Sequence, residues 1–250
     1  MTDPTYDTIG AGYAGIRRPE PLFAARIEEA LGDAQSVLNV GAGTGSYEPA
    51  DRDVTAVEPS ALMISQRPEG AALAVQATAE ELPFEDKSFD AAMAVLTVHH
   101  WRDAAAGLAE MQRVASKRIV ICTLDAAVGN ELWMFADYFP AAGKVDDERL
   151  PPAEEWASQL PNARVEVVLG PRNCADGFTF ALWDRPELLL DPVVRRSQSV
   201  WHEMLQEEID RGVERLSKEL DNGEWDRKYG HLRELDELDI GMRLIVSELS

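Results

Sequence analysis

The sequence predicts an α/β fold built on a buried, mostly parallel sheet, and three observations predict it. Short, near-continuous apolar runs alternate with helical patterns from residue 21 to residue 124, as strands covered on both faces require. The first run, Val37–Val40, breaks into glycines at alternate positions, Gly41, Gly43 and Gly45, and the second, Val54–Val57, ends on Glu58. A length of 250 residues with 45% hydrophobic content suits one large α/β domain, or such a domain with a modest appendage.

The elements follow in order. Pro19-Glu20-Pro21 opens a helix whose apolar positions are Leu22, Phe23, Ile27 and Leu31, and Gly32 stops it. Strands are expected at 36–41, 54–58, 73–76, 90–98 and 118–124, with helices at 60–66 and 103–115. Only eight residues, Ser46 to Asp53, link Gly45 to the second strand, and Pro49 is among them, so a turn or two is expected there at most. Residues 125–150 carry Trp133, Phe135, Tyr138 and Phe139 without alternation, and Pro151-Pro152 leads into a helical stretch to Leu160. Arg164–Leu169 and Phe178–Trp183 read as a hairpin joined by the turn 170–177. The remainder reads as helical: Leu205, Ile209, Val213, Leu216 and Leu220 recur at helical spacing up to Asp221-Asn222-Gly223. The expected division is a domain over 1–183 with a cap insertion at 125–160, followed by a helical extension over 184–250.

Glycines at a strand end let the chain turn sharply and let a ligand approach the main chain. Glu58, thirteen residues past Gly45, is placed to accept both hydroxyls of a ribose. These features predict a nucleoside pocket. A dinucleotide site usually reads GxGxxG, whereas the spacing here is Gly41-x-Gly43-x-Gly45, which disfavours a nicotinamide oxidoreductase.

That spacing, with Glu58-Pro59-Ser60 after it, resembles the first two motifs of class I S-adenosylmethionine-dependent methyltransferases. The resemblance continues through Ala79-Glu80-Glu81-Leu82-Pro83-Phe84, Ser88-Phe89-Asp90, the strand Ala91–Val98 closing on His99-His100-Trp101, and Glu110-Met111-Gln112-Arg113-Val114. In order and spacing these are similar to the type 11 small-molecule group, over residues 6 to 183. The resemblance implies a Rossmann-like, seven-stranded, mostly parallel sheet with a C-terminal hairpin strand, a helical cap and C-terminal helices. It implies S-adenosylmethionine as cofactor, held by Gly41, Ala42, Gly43, Gly45, Glu58, Met63 under the adenine, Thr78, Ala79, Glu80 and Leu96. Thr78 stands where many relatives have an aspartate for the adenine amine, so the charge-assisted bond is lost there. In Tyr6-Asp7-x-x-Gly10-x-Gly12-Tyr13-x-x-x-Arg17-Arg18, Tyr13 and Arg17 fit a lid, with the aromatic near the sulfonium and the arginine near the methionine carboxylate.

Ligands in such sheets lie beyond the carboxyl ends of the strands, where the glycine loop, Glu58, His99-His100-Trp101, the 125–150 insertion and the 170–177 turn are expected to meet. His99 and His100, two of four histidines, are candidate general bases, and strand alternation would let at most one face an acceptor. A structural role for the pair is the other reading. Trp101, Trp133, Tyr138 and Arg172 are the candidate acceptor contacts, with a core role the alternative for the three aromatics.

No metal is expected: adjacent histidines lack ligand spacing, and Cys122 and Cys174 form no metal motif. The net charge of −21, from 45 acids against 24 bases, argues against a nucleic-acid partner. No apolar run is long enough to span a bilayer and the start MTDPTYDTIG lacks the features of a signal peptide, so a cytoplasmic protein is expected. The expected activity is methyl transfer to a small-molecule acceptor, and the alternative is a non-catalytic cofactor-binding or partner-interaction protein. The aromatic insertion and C-terminal helices suit a substrate cap or a homodimer interface.

Overall fold

The computed structural model describes residues 16–249. Helix α1 (Pro21–Leu31) is capped by the Glu20 carboxylate, which accepts the Leu22 N–H, and buries Phe23, Ile27 and Leu31. Strands β1 (Ser36–Val40), β2 (Asp53–Val57), β3 (Leu73–Val75), β4 (Phe89–Val95) and β5 (Ala115–Leu124) follow, with α2 (Ala61–Ser65) after β2 and α3 (Ala104–Val114) after β4. The cap consists of α4 (Ala126–Gly129), a π-helical turn at Met134–Tyr138 and α5 (Pro140–Arg149). Then come α6 (Ala153–Ala157), β6 (Ala163–Val167), β7 (Gly170–Pro171), α7 (Pro192–Arg196), α8 (Val200–Glu203), α9 (Gln206–Asp221), α10 (Glu224–Tyr229), β8 (Glu237–Leu238) and β9 (Met242–Glu248).

One sheet of seven strands runs in the order β3-β2-β1-β4-β5-β9-β6. The five N-terminal strands pair in parallel, and β9 is antiparallel to both β5 and β6. The order reverses between β1 and β4, so the carboxyl ends of these strands open a crevice there. As the sequence suggests, residues 46–53 pass from the glycine loop to β2 through turns without a helix.

The expected hairpin partner at Phe178–Trp183 is a correction. That segment is a 3-10 helix at Thr179–Leu182, buried on every side, and its Thr179 N–H and hydroxyl go to Gln198 Oε1 rather than to a strand. A short apolar run buried all round has no periodicity to separate strand from helix. The antiparallel strand comes instead from Met242–Glu248, within the stretch expected to be helical. A division at residue 183 would therefore cut the sheet between β6 and β9.

One apolar cluster joins α1, one face of the sheet, the cap and the C-terminal helices, and a second lies under α3 and α6 on the other face. Trp133 sits in the first, its ring edge-on to Tyr138 at 5.6 Å and to Trp225 at 5.3 Å. Helix α9 approaches the π-turn so closely that a Cβ on Gly212 would lie 2.3 Å from Phe139 Cε1 and 2.6 Å from the Tyr138 carbonyl. Gly212→Ala should therefore lower stability by ~1–3 kcal/mol, although glycine to alanine in a helix interior ordinarily stabilises by ~1 kcal/mol. Urea unfolding checks the sign, and a more stable variant would mean that α9 does not pack on the cap this tightly.

Candidate active site

The site begins where β1 ends. The Val57 carbonyl accepts the N–H groups of both Gly41 and Ala42, at 2.8 and 2.9 Å, so the pairing of β1 with β2 runs on into the glycine loop. Gly41 has φ +71°, and a Cβ there would fall 2.2 Å from Thr97 Oγ1. Behind the loop, the Arg67 guanidinium contacts both Glu48 carboxylate oxygens, at 2.7 and 2.8 Å, and the Gly43 carbonyl at 3.2 Å. Asn39 Nδ2 donates to Glu48 Oε1 at 3.1 Å, which ties the pair to β1.

Glu58 follows β2 directly and is buried. Its Oε2 accepts the Gly43 N–H at 2.8 Å and its Oε1 the Ser60 N–H at 2.9 Å. Burial pushes its pKa up, while those two N–H groups and the Arg67 guanidinium act against the shift. Ser60 caps α2, whose buried Met63 reaches the glycine loop. Glu80 accepts the Arg102 and Asp103 N–H groups at 2.9 and 3.1 Å, joining the segment after β3 to the one after β4. At the end of β4, Leu96 takes φ +53°, a left-handed position rare for a leucine, with its N–H held by the Cys122 carbonyl at 2.8 Å.

These segments enclose a cavity of about 530 Å³ at the carboxyl edge of the sheet. Of the sequence-predicted residues, Arg17, Gly41, Ala42, Gly43, Glu58, Met63, Thr78, Ala79, Glu80, Leu96, His100 and Trp101 line it. Gly45 shapes the loop, at φ +92°, without lining the cavity. Tyr13 lies outside the described residues.

Three acceptor candidates sit elsewhere. Trp133 donates its indole N–H to the Trp183 carbonyl at 2.8 Å, and the Tyr138 hydroxyl donates to Glu219 at 2.7 Å, because the cap turns its aromatic face to the C-terminal helices. Arg172 bonds Asp236 at 2.8 Å and the Arg233 carbonyl at 2.9 Å, alongside the short β7–β8 pair.

The histidines are not on a strand, since β4 stops at Val95 and Val98–His100 form a 3-10 turn. Their rings are 3.9 Å apart, and only His100 is among the cavity-lining residues. Burial, followed by the Arg149 and Arg17 guanidiniums, pushes the His100 pKa down to about 3. His99 is held well below its usual value by burial and then by His100, Arg149 and Arg17, and its Nδ1 is buried with no hydrogen-bond partner. Among the described residues, no group of three or more histidine, cysteine or acidic side chains could hold a metal ion.

Sequence reasoning missed Tyr47, Arg67 and Asp176. Tyr47 lines the cavity and donates its hydroxyl to Asp176 at 2.8 Å, while Arg17 Nε donates to the same carboxylate at 2.5 Å. Asp176 lies in the 170–177 turn that topology directs to this edge, so a signal for it was present. Arg67 carried none, because its partner Glu48 lies in an irregular turn.

Two neutral histidines have a measurable consequence. The unfolded chain takes up protons below pH ~6.5 that the folded state excludes, so this pair makes stability fall as pH drops from about 6.5 towards 3 and adds no slope above. Ring-carbon NMR shifts of His100 in the folded protein should stay flat from pH 7.5 to 5. A midpoint near 6.5 would show that the ring is not buried beside cations.

A methyltransferase-domain family model matches residues 38–121, the span from β1 to β5. A solved structure from Anabaena variabilis, described as a methyltransferase from an antibiotic biosynthesis pathway, shares 33% identity at a TM-score of 0.86, covering 93% of this chain and 98% of that one. A Thermotoga maritima structure, described as an S-adenosylmethionine-dependent methyltransferase and possible histamine N-methyltransferase, shares the fold at TM-score 0.54 and 17% identity, covering 98% and 95%. So does the 4+2 cyclase SpnF, at TM-score 0.54 and 15% identity over 98% and 92%. None of the curated protein sequences matches this one. With identity of a third over nearly the whole length of both chains, and the glycine loop and Glu58 on one cavity, the chain belongs to the class I S-adenosylmethionine-dependent methyltransferases, in the type 11 group that its motifs resemble.

Proposed function

We propose that the chain transfers the methyl group of S-adenosylmethionine to a small-molecule acceptor by in-line displacement. The observation that carries this reading is the single cavity shared by the glycine loop, Glu58 and Met63 on one side and by Arg17, His100 and Trp101 on the other. The residues fit the cofactor. Glu58 is a buried carboxylate with lone pairs beyond those used by Gly43 and Ser60, suited to a ribose diol. Met63 supplies an apolar wall for an adenine, and Gly41, whose missing Cβ lets Thr97 pack against the loop, lines the same cavity.

When bound, S-adenosylmethionine supplies a methyl carbon already activated by its sulfonium. The protein then has to align the acceptor and keep water out, and the concave pocket wall formed by Leu96, His100 and Trp101 suits the first task. His100, neutral near pH 7, can accept a hydrogen bond or a proton, but its depressed basicity makes it a weak base. This favours an acceptor whose lone pair is already available, a carboxylate or an amine that reaches the site unprotonated, over a phenol that must first be deprotonated. The net charge of −21 supports a small metabolite over a phosphate backbone. Because the SpnF likeness shows the fold alone, the cavity rather than the sheet bears the functional reading.

S-adenosylhomocysteine should bind in a calorimeter and NAD should not. Glu58→Gln should weaken S-adenosylhomocysteine binding about 10–100-fold, the loss of one charge-assisted bond of ~1.5–3 kcal/mol, in a protein with unchanged circular dichroism. Unchanged affinity would remove Glu58 from the site.

Turnover on a panel of carboxylates, amines and phenols, followed as S-adenosylhomocysteine released, tests the transfer itself. His100→Ala should leave most activity on a carboxylate or amine, whereas a loss of ~10²–10⁴ with disappearance of a pH limb would restore the general-base role. Tight cofactor binding with no turnover on any acceptor would favour a binding protein of the same fold.

A further inference from the structure

Behind the cavity wall, chain segments far apart in sequence meet on one carboxylate. Asp176 is 1% exposed. Its Oδ1 accepts Arg17 Nε–H at 2.5 Å, and its Oδ2 accepts the Tyr47 hydroxyl at 2.8 Å and Arg17 Nη2 at 3.4 Å. Tyr47 Oη in turn accepts the Glu20 N–H at 3.1 Å, and the Glu20 carboxylate returns to the turn by accepting the Ala175 N–H at 2.7 Å. The Ile16 carbonyl accepts the Gly177 N–H at 3.1 Å, and a Cβ on Gly177 would lie 2.9 Å from that carbonyl oxygen, so the segment carrying Arg17 rests directly on the 170–177 turn.

The network has an inner and an outer half. Arg17 and Tyr47 line the cavity, and Asp176 and Glu20 stand behind them. A buried ion pair is weak evidence for a stabilising role, since desolvation offsets most of the Coulombic gain, and its best-attested use is to fix one arrangement. Tyr47 also takes φ +64°, left-handed for an aromatic residue, two positions past the last glycine of the loop. A strained residue that bonds a buried carboxylate, which in turn holds a cavity-lining guanidinium, points to control of where that guanidinium sits.

We propose that Asp176, with Tyr47, is a positioning residue that presents the Arg17 guanidinium to the carboxylate of the cofactor's amino-acid half. It thereby sets affinity for that half, while the glycine loop and Glu58 take the nucleoside. The inference rests on the reading of the cavity as an S-adenosylmethionine site.

The test uses two probes on the full chain: S-adenosylhomocysteine, and 5′-methylthioadenosine, which has the nucleoside half and no amino acid. Asp176→Asn should raise the Kd for S-adenosylhomocysteine about tenfold or more and change that for methylthioadenosine less than about twofold. Tyr47→Phe, which removes one bond to the carboxylate and leaves the ion pair, should show the same pattern at smaller size and serves if Asp176→Asn does not fold. Arg17→Ala should match Asp176→Asn, and the double variant should be no weaker than Arg17→Ala alone, because Asp176 acts through Arg17. Equal weakening of both probes, an unchanged ratio, or additive losses in the double variant would overturn the role of Asp176. Wild-type protein that binds neither probe would overturn the reading of the cavity as well.

Discussion

The cavity depends on a glycine loop that is held in place without a helix behind it. In its stead a buried arginine, Arg67, reaches from beyond α2 to both oxygens of Glu48 and to the Gly43 carbonyl, and Asn39 anchors the pair to β1. Both charged side chains are under 10% exposed, so each depends on the other for its desolvation to be tolerable. With the loop fixed from below in this way, its N–H at Gly43 can meet Glu58, and the carboxylate stands at the cavity wall with each oxygen accepting a backbone N–H.

Much of this was legible in the sequence, and the reasons differ by element. The parallel strands could be read because burial on both faces leaves near-continuous apolar runs, and the glycine spacing with Glu58 located the pocket. The network around Arg17 was half legible: the turn 170–177 was expected at this edge, but nothing local marks Asp176 as the residue that matters. The last strand is ambiguous in the sequence because two apolar segments compete for one slot, and Ile240-Gly241-Met242-Arg243-Leu244-Ile245-Val246 holds the β-branched run that Phe178–Trp183 lacks. The cap aromatics are ambiguous for a related reason. A large ring in an insertion near a site has two places to go, and the partner that takes Trp133, the Trp225 ring, lies some way down the chain where spacing says nothing about contact.

The histidine pair shows how a residue type can mislead. Histidine near a cavity suggests proton transfer, yet here burial and two guanidiniums remove most of the basicity that the suggestion relies on. What remains is a neutral ring with a hydrogen-bonding edge, closer in character to an asparagine than to a base.

The placement of β9 has a consequence for how the molecule comes into being. The strand that separates β5 from β6 is drawn from the far end of the chain, with Cys122 opposite Leu244 and Val165 opposite Ile245. Strands β1 to β5 can pair as soon as they emerge during synthesis, but β6 has no neighbour until β9 arrives, and at ~5–20 residues per second the wait is on the order of ten seconds. For that interval the nascent chain holds its glycine loop and Glu58 on a sheet with an open edge at β5, a surface prone to pairing with other chains. In the order of synthesis the seventh strand is thus the last to become available, and the same step that seats it covers the open edge of β5 and gives β6 its neighbour.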